Sequence, residues 1–334
     1  NFNLLRLLAA FAVLISHSFA MLGQAEPFAA SVGKNLGAMA VDVFFIASGF
    51  LVGASLIRTQ DVGDYLRARV LRIFPALWVM LLLTVFVLGA IFTRFDSTTY
   101  LSEPQTWRYL WKNFFLMSGV EFYLPGLFES NRLRGVVNGS LWSMIYELSM
   151  YVLLLLSWIV YAYARKVLSA SLARIAGLGS LAIGLWITDR FYVLEHRQLL
   201  RFAWFFFVGT SFYLLRHQIL LSAKLMGIIA ALAMIALAIS GHHFLMLYYL
   251  ALPYCLFYFA YIPAGKLRSY NRFGDYSYGV YLYAFPIQQA LVLSTPDWSV
   301  LGLIFTAGSL TFILAICSWH WLEQPALQLR KRFL

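Results

Sequence analysis

The chain has 334 residues, of which 62% are hydrophobic and only 12% carry a charge. A soluble domain has about 45–50% apolar and about 25% charged residues, and a globule of this size could not bury so much apolar surface. This excludes a soluble enzyme, a disordered chain and a collagen-like chain. Long unbroken apolar stretches such as 148–160 and 225–239 indicate helices rather than the alternating strands of a transmembrane barrel. The composition therefore predicts an all-α polytopic membrane protein.

The net charge of +11 fits cytoplasmic loops that are rich in lysine and arginine. No basic stretch with interleaved aromatic residues lies outside the apolar segments, so we expect no nucleic-acid partner. The two cysteines, Cys255 and Cys317, lie inside apolar segments and predict no disulfide. No pair of histidines has the spacing of metal ligands, so we expect no metal ion.

The apolar segments predict about ten transmembrane helices. In chain order they cover 4–22, 38–57, 73–92, 141–164, 171–188, 199–215, 221–240, 243–262, 276–294 and 298–321. Most cations of the short loops fall on the side of the N-terminus, which predicts that both termini are inside. We expect residues 1–334 to form a single transmembrane domain, with an outer loop at about 93–140 and no additional soluble domain.

The first helix carries Arg6 and His17, eleven positions apart. On a helix this separation is about 16.5 Å along the axis, with the two side chains pointing within about 20° of each other. An ionisable residue at membrane depth is a hypothesis for a functional site. The alternative is a snorkelling arginine and a hydrogen-bonded structural histidine.

Two carboxylates, Asp42 and Glu147, are predicted in the same outer layer as His17. A carboxylate beside a histidine fixes the tautomer of the imidazole and makes it a better general base. The sequence does not say which carboxylate reaches His17. Structural pairing of both with other groups is the alternative.

At the inner surface, the segment from Asp64 to Pro75 predicts a short amphipathic helix before the third span. Arg69 and Arg72 share one face of it, and two guanidiniums suit a phosphate or pyrophosphate. Anchoring to lipid head groups explains the pattern equally well. Glu323, at the inner end of the last helix, has interfacial anchoring as its simplest role.

The outer loop contains an amphipathic stretch from Trp107 to Met117, which we expect on the membrane surface. The aromatic residues Trp107, Trp111, Tyr123 and Trp142 suit an interfacial belt. Stacking on sugar rings is the alternative.

Five stretches together resemble acyltransferase family 3, the multi-helix membrane acyltransferases that modify cell-envelope glycans and some small molecules. They are Arg6-x10-His17, the block 41–51, Arg69-x-x-Arg72 followed by Ile-Phe-Pro, the block 138–147, and the pair 276–286 and 321–325. The order is that of the family. One departure is Ala284, which stands where many members have a histidine, so any role of that histidine is not carried over.

The resemblance implies transfer of an acyl group, usually acetyl, from acyl-CoA to a hydroxyl of a carbohydrate acceptor. The acceptor would be a polysaccharide, a lipopolysaccharide or a glycoside at the outer face of a bacterial inner membrane, with membrane lipid around the protein. Acyl-CoA would be a substrate rather than a permanently bound cofactor. The implied roles are donor binding for Arg6, Arg69 and Arg72, catalysis for His17 with Glu147 or Asp42, acceptor binding for Asn138, Ser140 and Trp142, and further site positions at Tyr281 and Glu323.

His17 would act as a general base in direct transfer, or as a nucleophile that forms an acyl-imidazole. Ser140, Asn138 or a backbone N–H would stabilise the oxyanion. Two other classes stay open: a transporter, for which buried ionisable residues are also typical, and an envelope glycan polymerase or glycosyltransferase.

Overall fold

The computed structural model describes residues 1–116, 118–191, 196–265, 269–295 and 297–330. Within these ranges the chain is helical over each of the ten predicted segments. The helices are α1 (Phe2–Leu22), α2 (Pro27–Val32), α3 (Leu36–Thr59), α4 (Val62–Leu83), α5 (Gly89–Phe92), α6 (Ser97–Ser102), α7 (Pro104–Phe115), α8 (Trp142–Val167), α9 (Ala170–Phe191), α10 (His196–Leu214), α11 (Ala223–Ile239), α12 (Gly241–Tyr261), α13 (Ser277–Ser294), α14 (Val300–Ser318) and α15 (Gln324–Leu329).

By length and apolar composition, seven helical stretches of the described chain could cross a membrane. They are Phe2–Leu22, Leu36–Thr59, Val62–Phe92, Gly139–Val167, Ala170–Arg190, Gly241–Tyr261 and Val300–Leu329. The apolar α11 is shorter, α10 has two arginines in its first six residues, and α13 is mostly buried inside the protein. A helix surrounded by other helices can carry polar side chains that lipid would not tolerate.

The inner amphipathic segment and the third span form one continuous helix, which corrects the expectation of a separate short helix. Asp61 caps the N-terminus of α4 by accepting a hydrogen bond from the backbone of Asp64, and the helix continues past Pro75. A π-helical turn, Thr84–Leu88, then joins α4 to α5. The buried side chains on both sides of Pro75 hold the helix together despite the missing backbone donor. Arg69 and Arg72 are therefore fixed rigidly to a membrane helix.

Helix α3 is the centre of the bundle, and α10 packs against it at very short range. A Cβ on Gly49 would lie 1.8 Å from the carbonyl oxygen of Phe206, and one on Gly209 would lie 2.1 Å from that of Ile46. Only glycine permits this approach of two backbones, a common way to join membrane helices.

Helix α1 lies between α3, α13 and α14. Gln288 of α13 is fully buried and donates hydrogen bonds to the carbonyl of Leu14 at 2.8 Å and to Ser18 at 2.7 Å. These contacts fix α13 beside the part of α1 that carries His17.

The segment between the third and fourth spans, which the sequence predicts to be an outer loop, contains α6, α7 and an isolated antiparallel bridge between Tyr123 and Val136. The predicted amphipathic stretch is helical as α7, while Met117 lies outside the described residues.

Candidate active site

A cavity of about 220 Å³ lies among α1, α3, α4, α8 and α13. Its wall brings together five residues that the sequence indicated as site residues: Arg6, Arg69, Arg72, Glu147 and Tyr281. Further polar residues of the wall are Ser48, Ser143, Tyr151, Tyr278 and Arg330. Arg6 on α1 thus shares one cavity with Arg69 and Arg72 on α4, which follow it by more than 60 positions.

Two of these arginines are neutralised by carboxylates. Arg72 contacts Asp275 at 2.6 Å and Glu323 at 3.0 Å, and Arg6 is also hydrogen-bonded to Asp275. Ser277 and Ser318 donate to the same two carboxylates. Glu323 is only 1% exposed, so it is a buried ion-pair partner of Arg72 and not the interfacial anchor that the sequence suggested.

Arg69 differs from its two neighbours because no carboxylate of the described residues lies within ion-pair distance of it. Its Nε is buried without a hydrogen-bond partner. The guanidinium lies 5.6 Å from the ring centre of Tyr151 and 5.9 Å from that of Tyr65. A buried guanidinium with an unsatisfied donor on a cavity wall is suited to an anionic ligand.

Glu147 belongs to the wall of the cavity rather than to the surroundings of His17. Its Oε1 accepts hydrogen bonds from Tyr151 and, at 3.3 Å, from Ser48. The hydroxyl of Tyr151 thus binds Glu147, and the ring of the same tyrosine lies beside the guanidinium of Arg69.

His17 lies one helical turn beyond the cavity, measured along α13. Its ring packs edge-to-face on Phe285, with 5.0 Å between the ring centres, and its buried Nδ1 has no hydrogen-bond partner. Phe285 follows Tyr281, a wall residue of the cavity, by four positions on α13, which places the two side chains on one helix face. Neither Glu147 nor Asp42 makes a hydrogen bond or an ion pair with His17.

Asp42 is completely buried and is bound to other groups. Lys34 forms an ion pair with it, Arg201 contacts it at 3.2 Å, and Tyr248 donates a hydrogen bond at 2.8 Å. The ammonium of Lys34 also lies 4.5 Å from the ring centre of Tyr248. In this arrangement Asp42 links α3 to α10 and α12, which corresponds to the structural pairing that the sequence left open.

The residues expected to bind the acceptor are buried or packed in this structure. Asn138 uses its amide to donate to the carbonyl of Leu282 at 3.0 Å and to accept from the backbone of Ser140 at 3.1 Å. Trp142 packs against Phe202, with 5.7 Å between the ring centres. Only the hydroxyl of Ser140 is buried without a partner.

Tyr281 and Gly139 connect the cavity with the layer of His17. The hydroxyl of Tyr281 lies 2.6 Å from that of Ser143 and donates to the carbonyl of Ser140 at 2.8 Å. A Cβ on Gly139 would lie 2.5 Å from the ring of Phe285, so only glycine fits between this turn and the aromatic neighbour of His17.

Sequence reasoning missed Asp275, the carboxylate that Arg6 and Arg72 share. It comes directly before the block 276–286, so an acidic residue next to a recognised block was an available signal. It also missed Lys34 and Arg201 as partners of Asp42. Arg201 is far from Asp42 along the chain, and Lys34 precedes α3, so no helical spacing pairs either of them with Asp42.

The fold and the cavity define a multi-pass α-helical membrane protein with an arginine-lined site inside the bundle. A family model for an acyltransferase domain matches residues 1–322, and the chain belongs to this family, acyltransferase family 3. The predicted resemblance is thereby confirmed.

Two relatives match over almost their whole length. An O-acetyl transferase of Shigella phage Sf6 is 29% identical over an alignment that covers 100% of this chain and 95% of the relative. Nodulation protein 10 of Rhizobium leguminosarum bv. viciae is 29% identical, with 99% of this chain and 94% of the relative covered. No solved structure matches the chain.

Proposed function

We propose that this protein is an integral-membrane O-acyltransferase that transfers an acyl group, acetyl in the simplest case, from cytoplasmic acyl-CoA to a hydroxyl of an envelope glycan or glycoside. It would lie in the inner membrane of a bacterium, with ten crossings and both termini inside. The membership in acyltransferase family 3 and the similarity to a phage O-acetyl transferase support this assignment.

The single observation that carries the proposal is the relation between the two ends of α1. Arg6 lines the arginine-rich cavity, and His17, with an unpartnered imidazole nitrogen, lies eleven residues further along the same helix. The helical rise puts about 16.5 Å between them. A long, thin donor with an anionic head and a thioester at its far end matches this layout.

Arg69 supplies the donor contact that needs no rearrangement, because its guanidinium is not engaged by a carboxylate. Arg6 and Arg72 would hold the donor phosphates only by exchanging Asp275 or Glu323 for the ligand. Charge-assisted hydrogen bonds from guanidinium to phosphate oxygens are the strong and directional kind.

In the transfer step, an imidazole nitrogen of His17 takes the proton of the acceptor hydroxyl, and the hydroxyl oxygen attacks the thioester carbonyl. The tetrahedral intermediate collapses, the carbon–sulfur bond breaks, and the coenzyme A thiolate takes the proton back from the imidazolium of His17, which regenerates the base. The free hydroxyl of Ser140 or a nearby backbone N–H would stabilise the oxyanion. The acyl-histidine route uses the same residue as nucleophile and would leave an acylated His17 when the acceptor is withheld.

The thioester must pass the hydrogen-bonded pair of Tyr281 and Ser143 to reach His17. The hydroxyl of Tyr281 also donates to the carbonyl of Ser140, in the turn that packs on Phe285. On this proposed route, breaking the contact between the two hydroxyls would join the donor cavity to the layer of His17, which gives Tyr281 a positioning role.

Sealed vesicles of known orientation test the proposal. Radiolabelled acetyl-CoA on the cytoplasmic side should label a saccharide acceptor that is present only on the outer side. Labelling that requires both substrates on one side would overturn the two-sided arrangement. A requirement for a lipid-linked sugar donor, with no response to acyl-CoA, would favour a glycosyltransferase instead.

A further inference from the structure

Helix α7 runs antiparallel to the outer half of α4 rather than across it. Near the start of α7, Trp107 contacts Phe86, with 6.2 Å between the ring centres. Near its end, Phe114 stacks on Trp78 at 4.5 Å, and the indole of Trp78 donates to the carbonyl of Phe114 at 3.1 Å. From the first contact to the second, the chain advances seven positions along α7 and goes back eight positions along the transmembrane helix. The two helices are therefore antiparallel.

These contacts place α7 alongside the span, and the depth of α7 follows from where the span lies in the membrane. The span Val62–Phe92 has 31 residues, or about 46 Å of helix, whereas the hydrocarbon core is about 30 Å thick. A centred helix therefore projects about 8 Å on each side. Phe86 then lies near the outer hydrocarbon boundary, and Trp78, about 12 Å deeper, lies near the middle of the membrane.

The chain that follows α7 returns to the outer end of the same span. Thr93, just after α5, donates a hydrogen bond to the carbonyl of Pro125 at 2.9 Å. Lower down, the buried side chain of Asn113 donates to the carbonyl of Glu121 at 2.8 Å and accepts from the backbone N–H of Glu121 at 3.0 Å. Backbone polar groups at membrane depth need internal partners, and Asn113 supplies two of them.

The outward face of α7 is apolar and is left partly uncovered by the residues that the structure describes. Trp107, Trp111 and Phe115 lie four positions apart and are 40%, 54% and 52% exposed. The face continues that of the span Val62–Phe92, where Phe86 of the π-helical turn is 43% exposed, as expected of a surface that contacts lipid.

Beside this aromatic stripe, Arg108 and Lys112 border an open depression together with Trp111 and Ser118. Glu121 contacts Arg108 at 3.1 Å and Lys112 at 4.0 Å, so one carboxylate faces two cations. By the helical rise Arg108 lies near the predicted outer boundary and the backbone of Lys112 about 6 Å deeper, so the long lysine side chain has to extend upward to reach a lipid phosphate. The excess positive charge of the two cations is complementary to that phosphate.

We infer that residues 104–116 and 118–124 form a re-entrant hairpin that dips into the outer leaflet along α4 and binds a phospholipid. The acyl chains lie on the face formed by Trp107, Trp111 and Phe115, and Arg108 and Lys112 hold the phosphate. This replaces the expectation that the amphipathic stretch lies flat on the membrane surface, and it does not depend on the reaction that the protein catalyses.

Site-directed spin labelling in liposomes tests the depth. In a background with Cys255→Ala and Cys317→Ala, a nitroxide is attached to Trp107→Cys, Trp111→Cys or Phe115→Cys, and its collisions with oxygen and with a water-soluble nickel chelate are measured. The helical rise predicts a depth increase of about 12 Å from the first position to the last.

Two controls set the scale. Leu82→Cys reports the lipid-facing surface of α4, and Thr98→Cys reports the exposed outer helix α6. Oxygen contact at positions 111 and 115 that matches Leu82→Cys supports the hairpin. Equal depth at all three positions would assign a flat interfacial helix, and nickel contact like that of Thr98→Cys would assign the face to an aqueous partner such as a sugar; either result overturns the inference.

The phosphate contact has its own test. Protein reconstituted with phosphatidylglycerol should retain this lipid in native mass spectrometry, and Arg108→Gln with Lys112→Gln should reduce retention several-fold. The matched control is Arg94→Gln with Arg134→Gln, which removes the same charge from exposed positions of the outer segment. Equal retention in all three proteins, or no retained lipid in any, would contradict the phosphate site.

Discussion

Arg69 and Arg72 lie one turn apart on α4, and only Arg72 is paired: it contacts Asp275 at 2.6 Å, whereas Arg69 faces the cavity with an unsatisfied Nε. The same local pattern therefore contains one structural and one available guanidinium. The available one is where an anionic ligand gains a contact without displacing a carboxylate.

Arg69→Ala is expected to weaken coenzyme A binding by about 1.5–3 kcal/mol, or roughly 10- to 150-fold in Kd, because one charge-assisted contact is lost. Thermal stability should change little. The measurement is a coenzyme A titration with the purified protein, paired with its unfolding temperature. Unchanged affinity would leave lipid anchoring as the better explanation of Arg69.

Arg72→Ala is expected to behave differently, because it leaves the buried carboxylates of Asp275 and Glu323 without their partner. Removing one member of a buried ion pair costs about 3–5 kcal/mol. The unfolding temperature should fall well below that of Arg69→Ala. Equal stability of the two variants would show that the pairing of Arg72 contributes little.

His17→Ala is expected to lower the transfer rate by about 10²–10⁴-fold, the usual effect of removing a positioned base. Folding in membranes should be preserved, because no hydrogen bond of Nδ1 is lost. The matched control is His242→Ala, which removes an exposed imidazole at the start of α12. Near-normal turnover of His17→Ala would remove this residue from the mechanism.

Asp42→Asn separates a structural role from a role in orienting His17. The substitution leaves Lys34 and Arg201 insufficiently compensated, so a stability loss of about 3–5 kcal/mol is expected while the folded fraction keeps its turnover. Adding Lys34→Met should restore part of the stability by rebalancing the charge. A folded Asp42→Asn protein with a hundredfold lower turnover would instead support an orienting carboxylate.

Gly139→Ala tests the contact that supports the surroundings of His17. The new methyl group would overlap the ring of Phe285, so a loss of about 1–3 kcal/mol and a lower transfer rate are expected. Gly227→Ala is the control, because a Cβ there meets nothing within 4 Å. Thermal unfolding and transfer assays on both variants make the comparison, and equal behaviour would show that the turn at Gly139 can relax.

Asp275 makes stability depend on pH in a defined direction. Burial alone would raise the pKa of Asp275, but the guanidiniums of Arg6 and Arg72, together with the hydrogen bonds from Ser277, outweigh it and hold the pKa below its usual value. The stabilisation is therefore present above the ordinary carboxyl pKa and is lost as the pH falls through the lowered value. The difference in unfolding temperature between the native protein and Asp275→Asn should be large at neutral pH and should shrink in strong acid; a difference independent of pH would contradict this role.

The sequence by itself determined the class of protein and the positions of the helices. Apolar stretches longer than about 20 residues have to be helical in a membrane, because every backbone polar group then finds its partner within the segment. The Arg6-x10-His17 spacing likewise fixed one face of α1, since helical geometry is local. The resemblance to the family rested on ordered blocks of residues, which do not need a three-dimensional structure.

Only the tertiary structure decided how the ionisable residues pair. Asp275 meets Arg6 and Arg72, and Asp42 meets Lys34 and Arg201, across separations of up to 269 positions. Ion pairing depends on distances that result from the packing of α1, α3, α4 and α13. No periodic pattern in the sequence predicts those distances. The position of α7 was decided in the same way: its amphipathic pattern does not say which helix it packs on, and the stacking of Phe114 on Trp78 places it along α4.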